Sequence, residues 1–204
     1  QIPNTVYHGT TTKHLLSLRT IDLNKCSKYA DFGKGFYTTS NYLQALSFAE
    51  MRAKDHNFEE YNQKKLYAEY EISLVNPLIM EYTIETKKLL TLNNIFFDKP
   101  DRIWAQFIYN NRVGIKKVIN EFHNWDCQYD FVSGHVADNT LAPLILDMKN
   151  GIINFEEFFK KIQPYDKKDG NQFSFHTQKS LDALKLKKAQ IGGIVYDKTS
   201  KRLC

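Results

Sequence analysis

Asp31-Phe32-Gly33-Lys34-Gly35-Phe36-Tyr37-Thr38-Thr39 sets two glycines one residue apart ahead of an aromatic and threonine run. Glycine reaches backbone conformations that other residues avoid, so Gly33 and Gly35 predict tight turns in a connecting segment. This GxG is not a dinucleotide fingerprint, because no GxGxxG opens a helix, and a Rossmann arrangement fits poorly. Asp31 either orients the glycine turn or simply initiates it. Just beyond, Ser40 or Asn41 can cap a helix over 41–53, where Tyr42, Ala45, Leu46, Ala49 and Ala53 recur at helical spacing.

Upstream, residues 5–8 alternate as a first strand, and a helix near 12–18 follows. Downstream, 66–74 reads as the cleanest strand: Leu66, Ala68, Tyr70, Ile72 and Leu74 line one face, and Tyr67, Glu69, Glu71 and Ser73 the other. The middle of the chain, 84–125, predicts helix in pieces, with Asp101 capping a Trp104/Phe107/Ile108 stripe. Residues 129–133 predict a strand, and 138–148 a helix closed by Gly151. Asn154 and Glu157 form a capping box ahead of Phe155, Phe158, Phe159 and Ile162, and Pro164 ends that helix. After a polar loop over 163–171, a strand over 172–176 puts Gln172, Ser174 and His176 on one face, with Phe173 and Phe175 behind. A short helix from Thr177 and an apolar strand near 191–196 complete the pattern. Strands at the ends and helices in the middle predict an α+β fold.

At 204 residues the expectation is a single domain over 1–204 with a mainly helical insertion around 84–125, large enough to bury a core without metal or disulfide staples. The 42% apolar and 14% aromatic content excludes a disordered tail. The net charge of +5 is unevenly spread: residues 159–204 hold 11 Lys/Arg against 4 Asp/Glu, so the rest is slightly acidic. A solvated lysine-rich surface is the simpler account of that quarter, and a meeting with phosphates the sharper one. Cys26, Cys127 and Cys204 are odd in number and far apart, so no disulfide framework follows and a reducing compartment is the default. No apolar run approaches the roughly 20 residues that span a bilayer, so no membrane partner is expected. The N-terminal stretch does not read as a signal peptide. His14, His56, His123, His135 and His176 show no metal-ligand spacing, and no metal is expected.

Three separated pieces, Tyr7-His8-Gly9-Thr10, the DFGKGFYTT stretch and Asn171-Gln172-Phe173-Ser174-Phe175-His176, together resemble the His–Tyr–Glu signature of the diphtheria-toxin and poly(ADP-ribose) polymerase branch of the ADP-ribosyltransferases. They are more closely similar to a bacterial family of uncharacterised ADP-ribosyltransferase-like proteins, which shares the YHG start, the DFGKGFYTT centre, a GxVAD segment (Gly134 to Asp138 here) and a QxxFxT-type end. The resemblance runs patchily from residue 5 to about residue 185. It implies an ADP-ribosyltransferase fold, two small antiparallel or mixed sheets forming an NAD cleft, and NAD as the substrate.

ADP-ribosyl transfer breaks the bond between nicotinamide and ribose C1′ through an oxocarbenium-like state, as glycoside cleavage does. The resemblance assigns His8 to a ribose hydroxyl; a neutral imidazole accepts on one nitrogen and donates on the other. It gives Gly9 the nicotinamide carboxamide through backbone N–H and C=O, and sets Thr10 and Gly35 beside the dinucleotide. Tyr37 would stack on the nicotinamide ring, a contact worth about 1 kcal/mol beyond buried area. Eleven residues on, where the polymerases carry a second aromatic, stands Phe48, for which stacking partner and plain core residue are both open. Tyr42 is nearer, but its helical phase groups it with the core stripe. Asp138 reads as a helix N-cap or as a carboxylate close to the cleft.

Gln172 departs from the wider pattern, in which this position is a Glu that bonds the ribose 2′-hydroxyl and places charge near the forming cation. Glutamine keeps the hydrogen bond and loses the charge, which at about 4 Å and an effective dielectric near 20 is worth roughly 4 kcal/mol. That corresponds to about a thousandfold in rate. Because the closer bacterial family also carries Gln here, two readings are open: a working variant suited to mono-ADP-ribosyl transfer, or an NAD-binding interaction or sensing module that catalyses little. The transferase is the expectation, with His8, Tyr37 and Gln172 catalytic and His8, Gly9, Thr10, Gly35, Tyr37 and Phe48 binding NAD. The resemblance further implies an acceptor, protein rather than nucleic acid, chosen in part by the 163–171 loop with Lys167, Lys168 and Asp169. It implies a bacterial toxin or effector, cytoplasmic or delivered into a target cell, for which an antitoxin is a natural partner. A nucleic-acid-binding domain ranks last, since no helix-turn-helix, zinc finger or RNP motif supports it.

Overall fold

A computed structural model describes residues 1–15, 20–114, 122–137, 141–164, 170–191 and 194–197. Six α-helices and two four-stranded open sheets are seen among them, a mixed α+β architecture. The chain divides into two compact units, one made of Gln1–Ile21, Thr38–Glu85 and Leu184–Cys204, the other of Asp22–Tyr37 and Thr86–Ala183. Asp138 and loop residues Lys167, Lys168 and Asp169 lie outside the described residues, as does part of the helix expected near 12–18, of which a 3-10 turn over Thr12–His14 is described.

In the first unit an antiparallel sheet runs in the order β1 (Thr5–Thr11), β3 (Pro77–Ile84), β7 (Leu184–Ile191), β8 (Ile194–Asp197). Helix α1 (Tyr42–Leu66) starts where the sequence predicts, with the Asn41 side chain accepting from the Leu43 and Gln44 backbone N–H groups. It buries Ala45, Ala49 and Ala53, one small residue per turn, beside Ile79, Tyr7, Tyr42 and Leu46. It continues well past residue 53, because the next turns hold Lys, Glu, Gln and Asn and neither glycine nor proline.

The strand expected over 66–74 is corrected by the structure: Leu66 ends α1, and no strand forms before Pro77. Side chains of α1 take the backbone groups that a neighbouring strand would have used. Ser73 N–H donates to Glu60 Oε2 at 2.8 Å and Val75 N–H to Asn57 Oδ1 at 2.9 Å, while Asn57 Nδ2 donates to the Val75 carbonyl at 3.0 Å. The strand is instead PLIMEYTI, paired on both sides by β1 and β7 and buried on both faces from Leu78 to Tyr82. A strand covered on both faces has no reason to alternate, so periodicity passed over it.

In the second unit the sheet order is β2 (Phe36–Thr38, whose first two residues fall in this unit), β6 (Asn171–Phe175), β5 (Phe131–His135), β4 (Asn94–Phe96). β5 and β6 are antiparallel, with Gly134 opposite Gln172, and β4 joins β5 in parallel. Helix α2 (Thr86–Leu89) is a single turn. Helix α3 (Arg102–Val113) is capped by Asp101, which accepts from Trp104 N–H, and buries Trp104, Phe107 and Ile108. Helices α4 (Leu141–Lys149) and α5 (Phe155–Lys161) complete that core, the latter entered through the Asn154–Glu157 capping box. Helix α6 (Gln178–Leu181) is capped by Thr177. The middle of the chain therefore carries a short strand as well as helix, and no helix among the described residues is long and apolar enough to cross a membrane.

Candidate functional site

Four of the seven expected site residues, His8, Gly9, Thr10 and Phe48, stand in the first unit, and Gly35, Tyr37 and Gln172 in the second. Alternation along β1 sends His8 and Thr10 to one face and Gly9 to the other. Gly9, opposite Ile79, lies under α1: a Cβ there would come 2.0 Å from the Ala45 carbonyl oxygen, so only glycine permits this approach. His8 is half-buried, opposite Met80. Phe48 is exposed on α1, with the Arg52 guanidinium 5.4 Å from its ring centroid. Tyr42 packs edge-on against Tyr7 and donates its hydroxyl to Gln190 Oε1, as its core phase predicts.

The second unit builds its group around the Asp31–Gly35 turn. The Tyr37 hydroxyl donates to the Gly33 carbonyl at 2.6 Å and accepts from Phe32 N–H at 2.9 Å, closing the turn that precedes it. Burial pushes the Tyr37 phenol well above its usual range; the Asp31 carboxylate adds to the shift, and the Phe32 N–H opposes it. Gly35 lies against the end of β6, where a Cβ would come 2.7 Å from His176 Nδ1 and 2.9 Å from the Phe175 carbonyl oxygen.

Asp31 is 6% exposed, and both its oxygens are occupied. Oδ1 accepts from Arg112 Nε at 2.7 Å and Nη2 at 2.6 Å, and Oδ2 accepts from Gln172 Nε2 at 2.9 Å. Gln172 Nε2 also donates to the His135 carbonyl at 3.1 Å, which receives Trp104 Nε1–H as well. A carboxylate and a carbonyl both face the same end of the side chain, and each can only accept, so that end must be the NH2 group. The amide orientation of Gln172 is thus fixed, and its Oε1 accepts no hydrogen bond among the described residues.

Four residues after Gln172 and just past the end of β6, His176 is 3% exposed, with Nδ1 2.9 Å from the Lys34 carbonyl and Nε2 2.8 Å from Ser174 Oγ. Burial pushes the imidazole down to about 4, against a weaker upward pull from the Lys34 carbonyl and Asp130. The ring is therefore neutral near neutral pH, its Nδ1–H donating to the Lys34 carbonyl, while its Nε2 and the Val132 carbonyl, 3.0 Å from Ser174 Oγ, both face the single Ser174 hydroxyl proton. Among the described residues no cluster of three or more His, Cys, Asp or Glu could hold a metal ion.

Sequence reasoning left Asp31 between two structural roles, grouped His176 with scattered histidines and did not single out Arg112. One signal for Arg112 was present. It sits four and eight residues after Ile108 and Trp104, so a cation continues the apolar face of α3. A charge in that phase calls for a buried partner, and the structure supplies Asp31.

Two small open sheets with six helices among the described residues define a mixed α+β protein. Residues 4–186 match the model of a family described as protein of unknown function (DUF3990), and the chain belongs to that family. No curated protein and no solved structure matches it.

Proposed function

We propose that this protein binds NAD⁺ and transfers its ADP-ribose to an acceptor, as a mono-ADP-ribosyltransferase with the fold of that superfamily. The observation that carries the reading is the amide of Gln172, held by Asp31 and the His135 carbonyl so that its oxygen alone is left to accept a hydrogen bond. A ribose 2′-hydroxyl is the donor such an oxygen would meet. On this reading His8, Gly9, Thr10 and Phe48 of the first unit, and Gly35 and Tyr37 of the second, are each residues whose substitution is expected to weaken NAD⁺ binding. In the reaction the bond between nicotinamide nitrogen and C1′ breaks with its electron pair going to the ring. The acceptor nucleophile then bonds C1′ and gives up its proton. The acceptor is a protein, consistent with a bacterial toxin or effector.

A second reading is favoured by one specific feature. Gln172 is uncharged, and the nearest negative charge, on Asp31, is already bound by Arg112. An NAD⁺-binding module with little turnover would look the same at this position. Incubation of the protein and a bacterial lysate with NAD⁺ isotopically labelled in its ADP-ribose, read by mass spectrometry, separates the two. Labelled protein together with free nicotinamide supports the transferase. Tight NAD⁺ binding with neither product supports the module, and no NAD⁺ binding overturns both.

A further inference from the structure

We infer that Asp31 is the positioning residue for Gln172, and that it makes an amide rather than a carboxylate the working group at this position. In its catalytic meaning this rests on the transferase reading; the coupling of the two side chains does not. Asp31 Oδ2 stands 2.9 Å and the His135 carbonyl oxygen 3.1 Å from Gln172 Nε2, and both are acceptors. A carboxylate introduced by Gln172→Glu would turn an oxygen toward each. Two carboxylates at that separation cannot both ionise comfortably, so the pair would hold one proton between them near neutral pH. Asp31 cannot turn away, because Arg112 Nε and Nη2 both hold its other oxygen from α3. The turn that carries it is closed by the Tyr37 hydroxyl.

The glutamine therefore has a local cause. Arg112 orients Asp31, Asp31 and the His135 carbonyl orient the amide nitrogen, and the amide oxygen is left as a fixed acceptor. The other titratable side chains on these elements are Lys34 in the turn, Tyr37 on β2, Arg102 and Tyr109 on α3, His135 on β5 and His176 just past the end of β6. Tyr37 is held protonated and His176 neutral near neutral pH, so the carboxylate pair dominates any new titration there.

The test is a double-mutant cycle on the full chain: wild type, Asp31→Asn, Gln172→Glu and the double variant. Each is followed by thermal midpoint at about pH 5 and about pH 8, and by nicotinamide release from NAD⁺. Gln172→Glu is expected to lose more midpoint, relative to wild type, at the higher pH, and Asp31→Asn in the same chain to restore most of that loss. Asp31→Asn alone is expected to lower kcat at least tenfold with KM within about twofold, and the double variant to exceed it in kcat. Should a variant fail to fold, the wild type still decides the matter by NMR. Both Gln172 amide protons are expected to be protected from solvent exchange, and fast exchange of either overturns the inference. A pH-independent Gln172→Glu midpoint with no rescue overturns it equally. Coupling without nicotinamide release from any chain defeats the transferase reading and leaves the pair standing; release by wild type and Asp31→Asn alike does the reverse.

Discussion

Gly9 meets its helix through a backbone carbonyl that leaves no space for a Cβ, whereas Gln172 meets its turn through a carboxylate already held by a guanidinium. The strand that carries His8 is positioned by shape, with alanines of α1 and glycine of β1 allowing close approach. The strand that carries Gln172 is positioned by buried polar partners: Asp31, the His135 carbonyl, and the Ser174–His176–Lys34 chain behind. Packing of the first kind answers to volume and is indifferent to pH. Networks of the second kind answer to charge, and cost most when one member is removed and another stays buried.

The largest effect is expected where a charge would be stranded. Arg112→Met keeps much of the side-chain volume but leaves the Asp31 carboxylate buried without its cation, a change worth about 4 kcal/mol of stability. Denaturant unfolding measures it, and a loss below about 1 kcal/mol would show that the turn is held by packing as β1 is. Gly9→Ala comes next. A methyl group 2.0 Å from the Ala45 carbonyl oxygen must displace α1 or β1, costing about 3 kcal/mol at any pH. A pH-dependent loss there would blur the contrast between the two strands.

His176 offers a sharper version of the same contrast. Its folded value of about 4 lies below the ordinary 6.5, so between these values the unfolded chain binds a proton that the folded chain refuses. Stability therefore falls as pH drops through that window, by about 2 kcal/mol on reaching about pH 5. His176→Asn is expected to flatten this acid limb in pH-dependent unfolding, while Gly9→Ala leaves its slope untouched. An unchanged slope in His176→Asn would place the titration elsewhere.

What was legible in the sequence follows the same division. Caps are local, so Asn41, Asp101, Asn154 with Glu157, and Thr177 all open helices as the residues predict. The alternation around Gln172 was also legible, because its strand puts Gln172 and Ser174 on one face and Phe173 and Phe175 on the other, although both faces are buried. The Asp31–Arg112 pair was not, being 81 residues apart in the chain and visible only as a cation in an apolar phase. Nor was the need for glycine at position 9, which is set by a carbonyl on another element. The 66–74 stretch misled for a different reason: its alternation is real, but the partner that binds its backbone is a helix.

Helix α1 shows how that happens, and yields the smallest of the expected effects. Ala45, Ala49 and Ala53 recur every four residues, and the next position in the series is Asn57, with Glu60 one turn beyond. One face of the helix thus changes from small and apolar to polar, and the polar part holds the Val75 and Ser73 backbone in place of a neighbouring strand. Asn57→Ala removes both hydrogen bonds to Val75, which are partly exposed, and is expected to cost about 1 kcal/mol. Hydrogen exchange distinguishes the local effect from the global one: Val75 N–H should lose its protection while the β1–β3 ladder keeps its own. If Val75 stays protected in that variant, something other than α1 holds the 67–76 segment, and the account of why an alternating stretch is not a strand fails.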